Sequence, residues 1–171
     1  MKIGIMSDIH DSATNLSLAI KKFNQQKCDI VIFCGDWGSP AMPNFCANIR
    51  CKIVSVFGNN DADIFTFLAR KKEKKWNIEF HKVCFEIKLD GMKIVVYHGD
   101  SDPLLQGLID SDKYDLVLSG HDHTAKISQT NDTIHINPGS VTDIHGGKAG
   151  NDSTIAIFNT KTCKGEIIKL N

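Results

Sequence analysis

The chain has 171 residues, of which 42% are hydrophobic, and its 20 basic residues are balanced by 20 acidic ones. This length predicts a single domain over residues 1–171. Ordinary hydrophobicity without net charge excludes a disordered chain, because such chains have too little apolar surface to bury. The lack of a basic excess argues against a long nucleic acid as partner, since phosphate binding needs clustered positive charge.

The N-terminal apolar run and the cysteines bear on the compartment. The run over residues 3–6 is too short for a signal peptide or an anchor, and no stretch reaches the ~20 apolar residues of a membrane span. None of the six cysteines forms a C-x-x-C pair. We interpret them as reduced thiols, with zinc or disulfide sites as the alternatives. We therefore expect a cytoplasmic protein without a membrane partner.

The first half of the chain alternates predicted strands with predicted helices. Apolar runs predict buried strands over residues 2–6, 29–34 and 52–57. Apolar positions and capping residues predict helices over residues 13–24, 43–50 and 61–70. This alternation is typical of a sheet with helices on its faces.

The second half is richer in predicted strands. Residues 82–89 and 92–97 flank Asp90-Gly91, which is the strongest short hairpin signal. We predict a helix over residues 103–109 and further strands over residues 116–118, 125–129, 133–136, 154–158 and 166–170. No linker-like segment separates two cores, so the prediction of one domain stands.

Seven polar side chains follow five predicted strands where each strand ends. They are Asp8, His10, Asp36, Asn59, His98, His121 and His123. Because sites in α/β sheets form beyond the carboxyl ends of strands, we expect these side chains to lie together. Imidazoles, carboxylates and an amide suit one or two divalent transition metals, such as manganese, iron or zinc. A carboxylate such as Asp36 can bridge two cations ~3.5–4 Å apart, as two-metal hydrolysis requires.

Each of these motifs alone also has an ordinary structural interpretation. Asp8 suits a turn or a helix cap, and Gly-Asp and Gly-Asn are common turn dipeptides. A histidine after a strand, such as His98, is by itself more often a surface or hydrogen-bonded residue than a metal ligand. The paired histidines 121 and 123 beside Gly120 are the strongest single signal. The combination, in this order and always at strand ends, favours a metal centre.

The motif series resembles that of the calcineurin-like metallophosphoesterase superfamily. The series reads D-x-H at residue 8, G-D at 35, G-N-N-D at 58, His98 and G-H-D-H at 120. The small size and the run Asn137-Pro-Gly-Ser140 resemble its small YfcE-like phosphodiesterase branch. The resemblance implies an α/β fold of two packed β-sheets flanked by helices, a four-layer α/β/β/α sandwich.

The same resemblance implies a site with two divalent metal ions. One ion would be held by Asp8, His10, Asp36 and His123, and the other by Asp36, Asn59, His98 and His121. Manganese is the first choice of metal, with nickel, iron(II) or zinc as alternatives. The implied reaction is hydrolysis of a small phosphodiester by a metal-bridging hydroxide, with a small phosphoester as the partner molecule.

Two candidate residues lie outside that ligand set: Asn60, as a catalytic and substrate-binding residue, and His145, as a substrate-binding residue. Asn60 stands where larger relatives carry a histidine that assists the leaving group. An amide can donate a hydrogen bond to a phosphoryl oxygen but cannot deliver a proton near neutral pH. General acid help is worth about 10²–10⁴-fold, so we expect substrates with good leaving groups. His145 either lies near the substrate phosphate or is a loop residue, and Trp37 either forms a pocket wall or packs in the core.

The alternative function is a non-catalytic scaffold, like the phosphoesterase-fold subunit of retromer. That subunit has lost some metal ligands, whereas all seven ligand positions are present here. Gathering seven polar groups without a cation would carry a large desolvation cost, which favours the enzyme. A homo-oligomer is left open by the sequence.

Overall fold

The computed structural model describes residues 1–145, 148–149 and 152–170, with only the backbone at residues 145, 148 and 149. Its helices are α1 (Ala13–Gln26), a 3-10 helix (Met42–Cys46), α2 (Ile64–Lys74) and α3 (Asp102–Asp110). Its first strands are β1 (Lys2–Met6), β2 (Ile30–Phe33), β3 (Lys52–Ser55), β4 (Ile78–Phe80), β5 (Cys84–Leu89), β6 (Met92–Tyr97) and β7 (Leu116–Leu118). The remaining strands are β8 (Lys126–Thr130), β9 (Thr133–Asn137), β10 (Ile144–His145), β11 (Lys148–Ala149), β12 (Thr154–Asn159) and β13 (Lys164–Lys169).

The strands form two large sheets and one small hairpin. The first sheet has the order β13-β12-β1-β2-β3-β4. Strands β1 to β4 are parallel, and β12 is antiparallel to both of its neighbours, β1 and β13. The second has the order β5-β6-β7-β9-β8, in which β6, β7 and β9 are parallel. Strands β10 and β11 pair with each other. Each sheet therefore gathers the carboxyl ends of three or four strands at one edge.

Apolar side chains fill the space between the two sheets and both outer faces. The inner layer joins Ile3, Ile32 and Val54 of the first sheet to Val96, Leu118 and Ile136 of the second. Helix α1 packs its buried face, which includes Phe23, on the outer face of the first sheet, and α3 covers Val95 and Val117 on the second. Burying each such side chain stabilises the fold by roughly 1.5–3 kcal/mol. The predicted layering of two packed sheets flanked by helices is confirmed.

Several local predictions differ from the structure. The helix predicted over residues 43–50 is a 3-10 helix over Met42–Cys46. Helix α2 begins at Ile64 rather than at residue 61, because Asp63 caps it by accepting a hydrogen bond from the Thr66 backbone N–H. Strand β4 and the β10–β11 hairpin were not predicted. These strands have two or three residues each, too few for a periodic pattern.

The structure shows a hairpin at Asp90-Gly91 and a buried side chain at Trp37. Asp90 and Gly91 have φ of 50° and 87°, and Leu89 pairs with Met92 across them, so the predicted hairpin is confirmed. Trp37 is buried, contacts the ring of Phe33 and donates its indole N–H to the Ser55 hydroxyl. Trp37 is therefore a core residue and not a pocket wall. Among the described residues, no helix has the length and apolar character needed to cross a bilayer.

Candidate metal centre

The structure brings the seven predicted side chains together at the facing edges of the two sheets. Asp8 and His10 follow β1, Asp36 follows β2, and Asn59 follows β3. His98 follows β6 directly, and the loop after β7 carries both His121 and His123. Parallel pairing within each sheet places these ends at one edge.

Three of the side chains form a first ligand cluster. The Nε2 atoms of His123 and His10 lie 3.3 Å and 3.6 Å from Oδ1 of Asp8. The same two ring nitrogens lie 3.2 Å from each other. Together the ligand atoms of these residues could hold one metal ion.

Asp36 and His98 form a second cluster together with Asp8, and its ligand atoms also lie close enough to hold one metal ion. Oδ2 of Asp36 is 3.4 Å from Nε2 of His98 and 3.5 Å from Nε2 of His10. Oδ1 of Asn59 lies 2.9 Å from Nε2 of His98 and 3.0 Å from Nδ1 of His121. Asp36 therefore lies between the two groups of imidazoles, where a bridging carboxylate would have to be.

His98 is oriented by the backbone on its far side. Its Nδ1 lies 2.8 Å from the carbonyl oxygen of Cys34. A carbonyl can only accept, so Nδ1 must carry the hydrogen, and in the neutral ring the lone pair is on Nε2. That lone pair points to the cluster, which is the arrangement that metal-ligating histidines use.

The two candidate substrate residues differ in what the structure shows. Asn60 donates its backbone N–H to Oδ1 of Asp36 at 2.9 Å and its side-chain amide to Oδ2 at 2.7 Å. Its amide is thus directed at a carboxylate of the cluster. The backbone of His145 lies in β10, opposite Lys148, and its side chain is outside the described part of the structure.

The backbone at the site is held in an uncommon conformation. Five of the seven candidate ligands have positive φ: Asp8 at 55°, His10 at 42°, Asp36 at 67°, His121 at 74° and His123 at 59°. For residues other than glycine this conformation costs on the order of 1–3 kcal/mol each. It persists only where surrounding contacts impose it, and such residues cluster at functional sites.

Two glycines allow the site loops to approach one another. A Cβ at Gly58 would lie 2.1 Å from Oδ1 of Asp36. A Cβ at Gly120 would lie 1.9 Å from Oγ of Ser7 and 2.7 Å from Oδ2 of Asp8. Only glycine fits at these two positions of the G-N-N-D and G-H-D-H motifs.

Asp61 is a supporting residue whose function was not predicted from the sequence. Its carboxylate is buried and accepts the backbone N–H groups of Asp36, Gly38 and Gly58 at 3.0, 3.1 and 2.9 Å. Burial raises the pKa of Asp61 to about 6 against the opposing effect of these hydrogen bonds. It ties the β2 loop to the β3 loop. Its position as the last residue of the G-N-N-D motif was the one sequence feature that could have indicated this supporting function.

Burial and opposite charges act against each other on the titratable groups of the cluster. Burial raises the pKa of Asp8, but the imidazoles of His10 and His123 more than offset it, so the pKa lies well below the usual range. Burial lowers the pKa of His98, but the Asp36 carboxylate outweighs it and raises the pKa to about 9. The carboxylates thus favour positive charge at the centre.

The donor set fits divalent cations. Oδ1 of Asp8 is buried, and no described residue donates it a hydrogen bond of ordinary geometry. An unsatisfied buried acceptor costs about 1–3 kcal/mol, and a charged one such as a carboxylate oxygen costs more. A bound cation would satisfy this oxygen. The ligands are nitrogens and oxygens without a thiol, which suits manganese, iron, nickel or zinc.

A family model for the calcineurin-like phosphoesterase superfamily domain matches residues 1–163. The chain belongs to this superfamily. The chain is 34% identical over 144 residues to Phosphodiesterase MJ0936 of Methanocaldococcus jannaschii, a match that covers 81% of the chain and 83% of the relative. The superfamily assigned from the motif series is therefore confirmed, and with it a hydrolase acting on phosphoester bonds.

Solved structures share the fold over the whole chain. A novel archaeal phosphodiesterase matches with a TM-score of 0.89 at 31% identity, covering 99% of both chains. The phosphoesterase YfcE of E. coli matches with a TM-score of 0.69 at 18% identity over 100% of both. Vps29 of Entamoeba histolytica complexed with zinc matches with a TM-score of 0.70 at 15% identity, again over 100% of both. The last two similarities bear on the fold alone.

Proposed function

We propose that this protein is a metal-dependent phosphodiesterase that uses two divalent cations to hydrolyse small phosphodiesters. The observation that carries the proposal is the position of Asp36 between two groups of imidazoles, with Oδ2 3.4 Å from His98 and 3.5 Å from His10. The relatives named as phosphodiesterases support the same reaction class.

Each cation would have four ligands from this chain. Asp8, His10, Asp36 and His123 would hold one, and Asp36, Asn59, His98 and His121 would hold the other. Bound cations would lower the pKa of water and neutralise the phosphoryl oxygens. Manganese is our first choice of metal, because the set combines carboxylates and an amide with imidazoles; nickel, iron(II) and zinc are the alternatives.

The chain's own residues would position the substrate without acting as nucleophile. Asn60 is exposed and adjacent to Asp36, and its amide is a donor that can turn from the carboxylate to a phosphoryl oxygen. Asn59 and His121 are exposed as well, so the centre is open on this side to a small substrate. We retain His145 as a second substrate candidate on the strength of its sequence position. Because the Asn60 amide cannot act as a general acid near neutral pH, good leaving groups are favoured.

The thiols support the proposed compartment. All six cysteines are free, and three of them are buried. Burial raises the pKa of Cys28 and of Cys46 to about 12, which keeps these thiols protonated and unreactive. Six free thiols are typical of a reducing compartment, so we propose a cytoplasmic protein.

The second candidate function is a protein-binding scaffold, and one surface feature favours it. Helix α2 exposes three large apolar side chains, Ile64, Phe65 and Leu68, of which Phe65 is 83% exposed. Vps29 shares the fold, and contiguous exposed apolar groups mark interaction sites. The complete ligand set favours the enzyme over the scaffold.

The test is hydrolysis of bis-p-nitrophenyl phosphate by metal-stripped protein titrated with manganese, nickel, magnesium or zinc. The matched control is Asp36→Asn, which keeps the side-chain shape but removes the charge between the clusters. Metal-dependent turnover that disappears in the control supports the phosphodiesterase. Metal binding without turnover on any phosphoester supports the scaffold.

A further inference from the structure

The Asn-Pro-Gly-Ser run lies beside the metal centre without contributing a ligand to it. We define it as the 137–140 segment; Asn137 ends β9 and Ser140 is its last residue. Both of these side chains are buried, with 3% of each residue exposed. Buried polar side chains at that depth require partners, and the partners are the loops of the site.

Asn137 holds the loop that carries His121 and His123. Its Nδ2 donates to the carbonyl oxygen of Gly120 at 2.8 Å and to Oδ1 of Asp122 at 2.7 Å. Its Oδ1 accepts the backbone N–H of Gly139 at 2.9 Å. Both amide hydrogens are therefore committed to the two residues that flank His121 in the chain.

Ser140 holds the loop that carries Asp8. Its hydroxyl donates to the carbonyl oxygen of Asp8 at 2.9 Å, and the backbone N–H of Thr142 donates to the same oxygen at 3.1 Å. Thr154 of β12 fixes the segment by donating its N–H to the Ser140 carbonyl and its hydroxyl to the Pro138 carbonyl. One short segment, anchored to the first sheet, thus contacts both loops.

These contacts act on backbone that would otherwise relax. Asp8, His121 and His123 have φ of 55°, 74° and 59°, which non-glycine residues leave unless they are held. Nε2 of His123 in one of these loops lies 3.3 Å from Oδ1 of Asp8 in the other, and the 137–140 segment contacts both loops. A small shift of either loop would change this separation and the ligand geometry with it.

We propose that Asn137 is a positioning residue for the metal centre: through Gly120 and Asp122 it sets the place of His121 and His123 relative to Asp8. This inference rests on the proposed function, because it assigns Asn137 to the same cations. Residues that orient metal ligands change metal affinity by about 10–100-fold when replaced.

The test measures Mn²⁺ affinity by calorimetry and turnover of bis-p-nitrophenyl phosphate against Mn²⁺ concentration. Asn137→Asp keeps the acceptor for the Gly139 N–H and loses both donors. We expect its affinity to fall about 10–100-fold, while kcat recovers at saturating Mn²⁺. The matched control is Asn131→Asp at the tip of the β8–β9 hairpin. Among the described residues, the Asn131 amide donates to the exposed Asp112 carboxylate alone. Equal affinities in wild type and Asn137→Asp would overturn the inference.

A second pair of variants covers the case in which Asn137→Asp does not fold. Asp122 is exposed, so its replacement leaves the core intact. Oδ1 of Asp122 accepts from the Asn137 amide and also from the backbone N–H of Thr124 at 2.8 Å. Asp122→Asn keeps this oxygen, and Asp122→Ala removes both contacts, whereas Asn137→Asp leaves the Thr124 contact in place. We expect Asp122→Ala to weaken Mn²⁺ binding and Asp122→Asn to retain most of it; equal losses would assign the effect to charge and overturn the inference. A wild-type protein that binds no Mn²⁺ would overturn the proposed function itself.

Discussion

Oδ2 of Asp36 lies 3.4 Å from Nε2 of His98, although Asp36 follows a strand of the first sheet and His98 follows a strand of the second. The contact therefore crosses from one sheet to the other at the edge where their loops meet. Neither sheet alone carries a complete ligand set, since Asp8 and His123 are also contributed by different sheets. The apolar layer between the two sheets therefore sets the spacing of the candidate metal ligands.

Because the side chains of Ser7 and Asp8 lie close to Gly120, one added methyl group there should lower both the stability of the protein and its affinity for Mn²⁺. In Gly120→Ala, the Cβ would collide with Oγ of Ser7 at 1.9 Å, and overpacking of this kind costs about 1–3 kcal/mol. We expect a lower midpoint in urea and weaker Mn²⁺ binding.

The control for that variant is Gly107→Ala in α3. A Cβ at Gly107 meets nothing within 4 Å, and alanine in a helix is favoured over glycine by about 0.5–1 kcal/mol. Gly107→Ala should raise the midpoint slightly and leave Mn²⁺ binding unchanged. If Gly120→Ala behaved in the same way, the described packing of the β7 loop would be wrong.

Asp61 predicts a stability loss from an isosteric change. In Asp61→Asn, one acceptor oxygen is replaced by an NH₂ group that faces backbone N–H donors of Asp36, Gly38 or Gly58. An unsatisfied buried donor costs about 1–3 kcal/mol, which urea denaturation would measure. Asp63→Asn is the control, because asparagine caps a helix as well as aspartate does. Comparable small losses in both variants would contradict the tie between the β2 and β3 loops.

His135 predicts a pH dependence of the free energy of unfolding. Burial lowers the pKa of His135 to about 4 in the folded protein, and its Nε2 contacts the Ser119 hydroxyl at 2.9 Å. In the unfolded chain the histidine pKa is about 6.5. Between pH 4 and about 6.5 the unfolded chain therefore binds more protons than the folded protein, so the free energy of unfolding rises with pH over this window. The contribution gained over that window is about 3 kcal/mol.

The comparison variant is His135→Gln, which keeps a hydrogen-bonding side chain that does not titrate. Urea denaturation of both proteins at pH 4.5 to 7.5 should show a shallower rise for His135→Gln. Because the two proteins share every other titratable group, only the difference between the two curves is informative. Parallel curves would show that His135 titrates normally.

Much of the fold and the composition of the site were predictable because they depend on local pattern. Alternation and apolar runs predicted most strands, and Asp90-Gly91 predicted a hairpin. The motif spacing after strand ends predicted which side chains would meet. The buried state of Trp37 and the three hydrogen bonds to Asp61 depend on loops that approach only in the folded protein. The start of α2 is set locally by the cap at Asp63, which the prediction missed because Asp61 is an equally suitable capping residue two positions earlier. The two contacts of Asn137 with residues 120 and 122 are equally long-range, so no local pattern carries them.

Asn60 predicts a dependence on the leaving group. In Asn60→His, an imidazole beside Asp36 could protonate the leaving oxygen, a contribution worth about 10²–10⁴-fold for poor leaving groups. We expect kcat/KM for an alkyl phosphodiester to rise relative to that for bis-p-nitrophenyl phosphate. Asn60→Gln, which keeps an amide, is the control. An unchanged ratio in Asn60→His would remove the argument for good leaving groups.

The most direct test of the two-cation site is the number of Mn²⁺ ions bound per chain, together with their electron paramagnetic resonance spectrum. Wild-type protein should bind two ions whose spectrum shows magnetic coupling, because Asp36 would bridge them. Asp36→Asn should lose the coupling and at least one ion. A wild-type protein with a single uncoupled ion, or an Asp36→Asn variant that retains two coupled ions, would contradict the site described here.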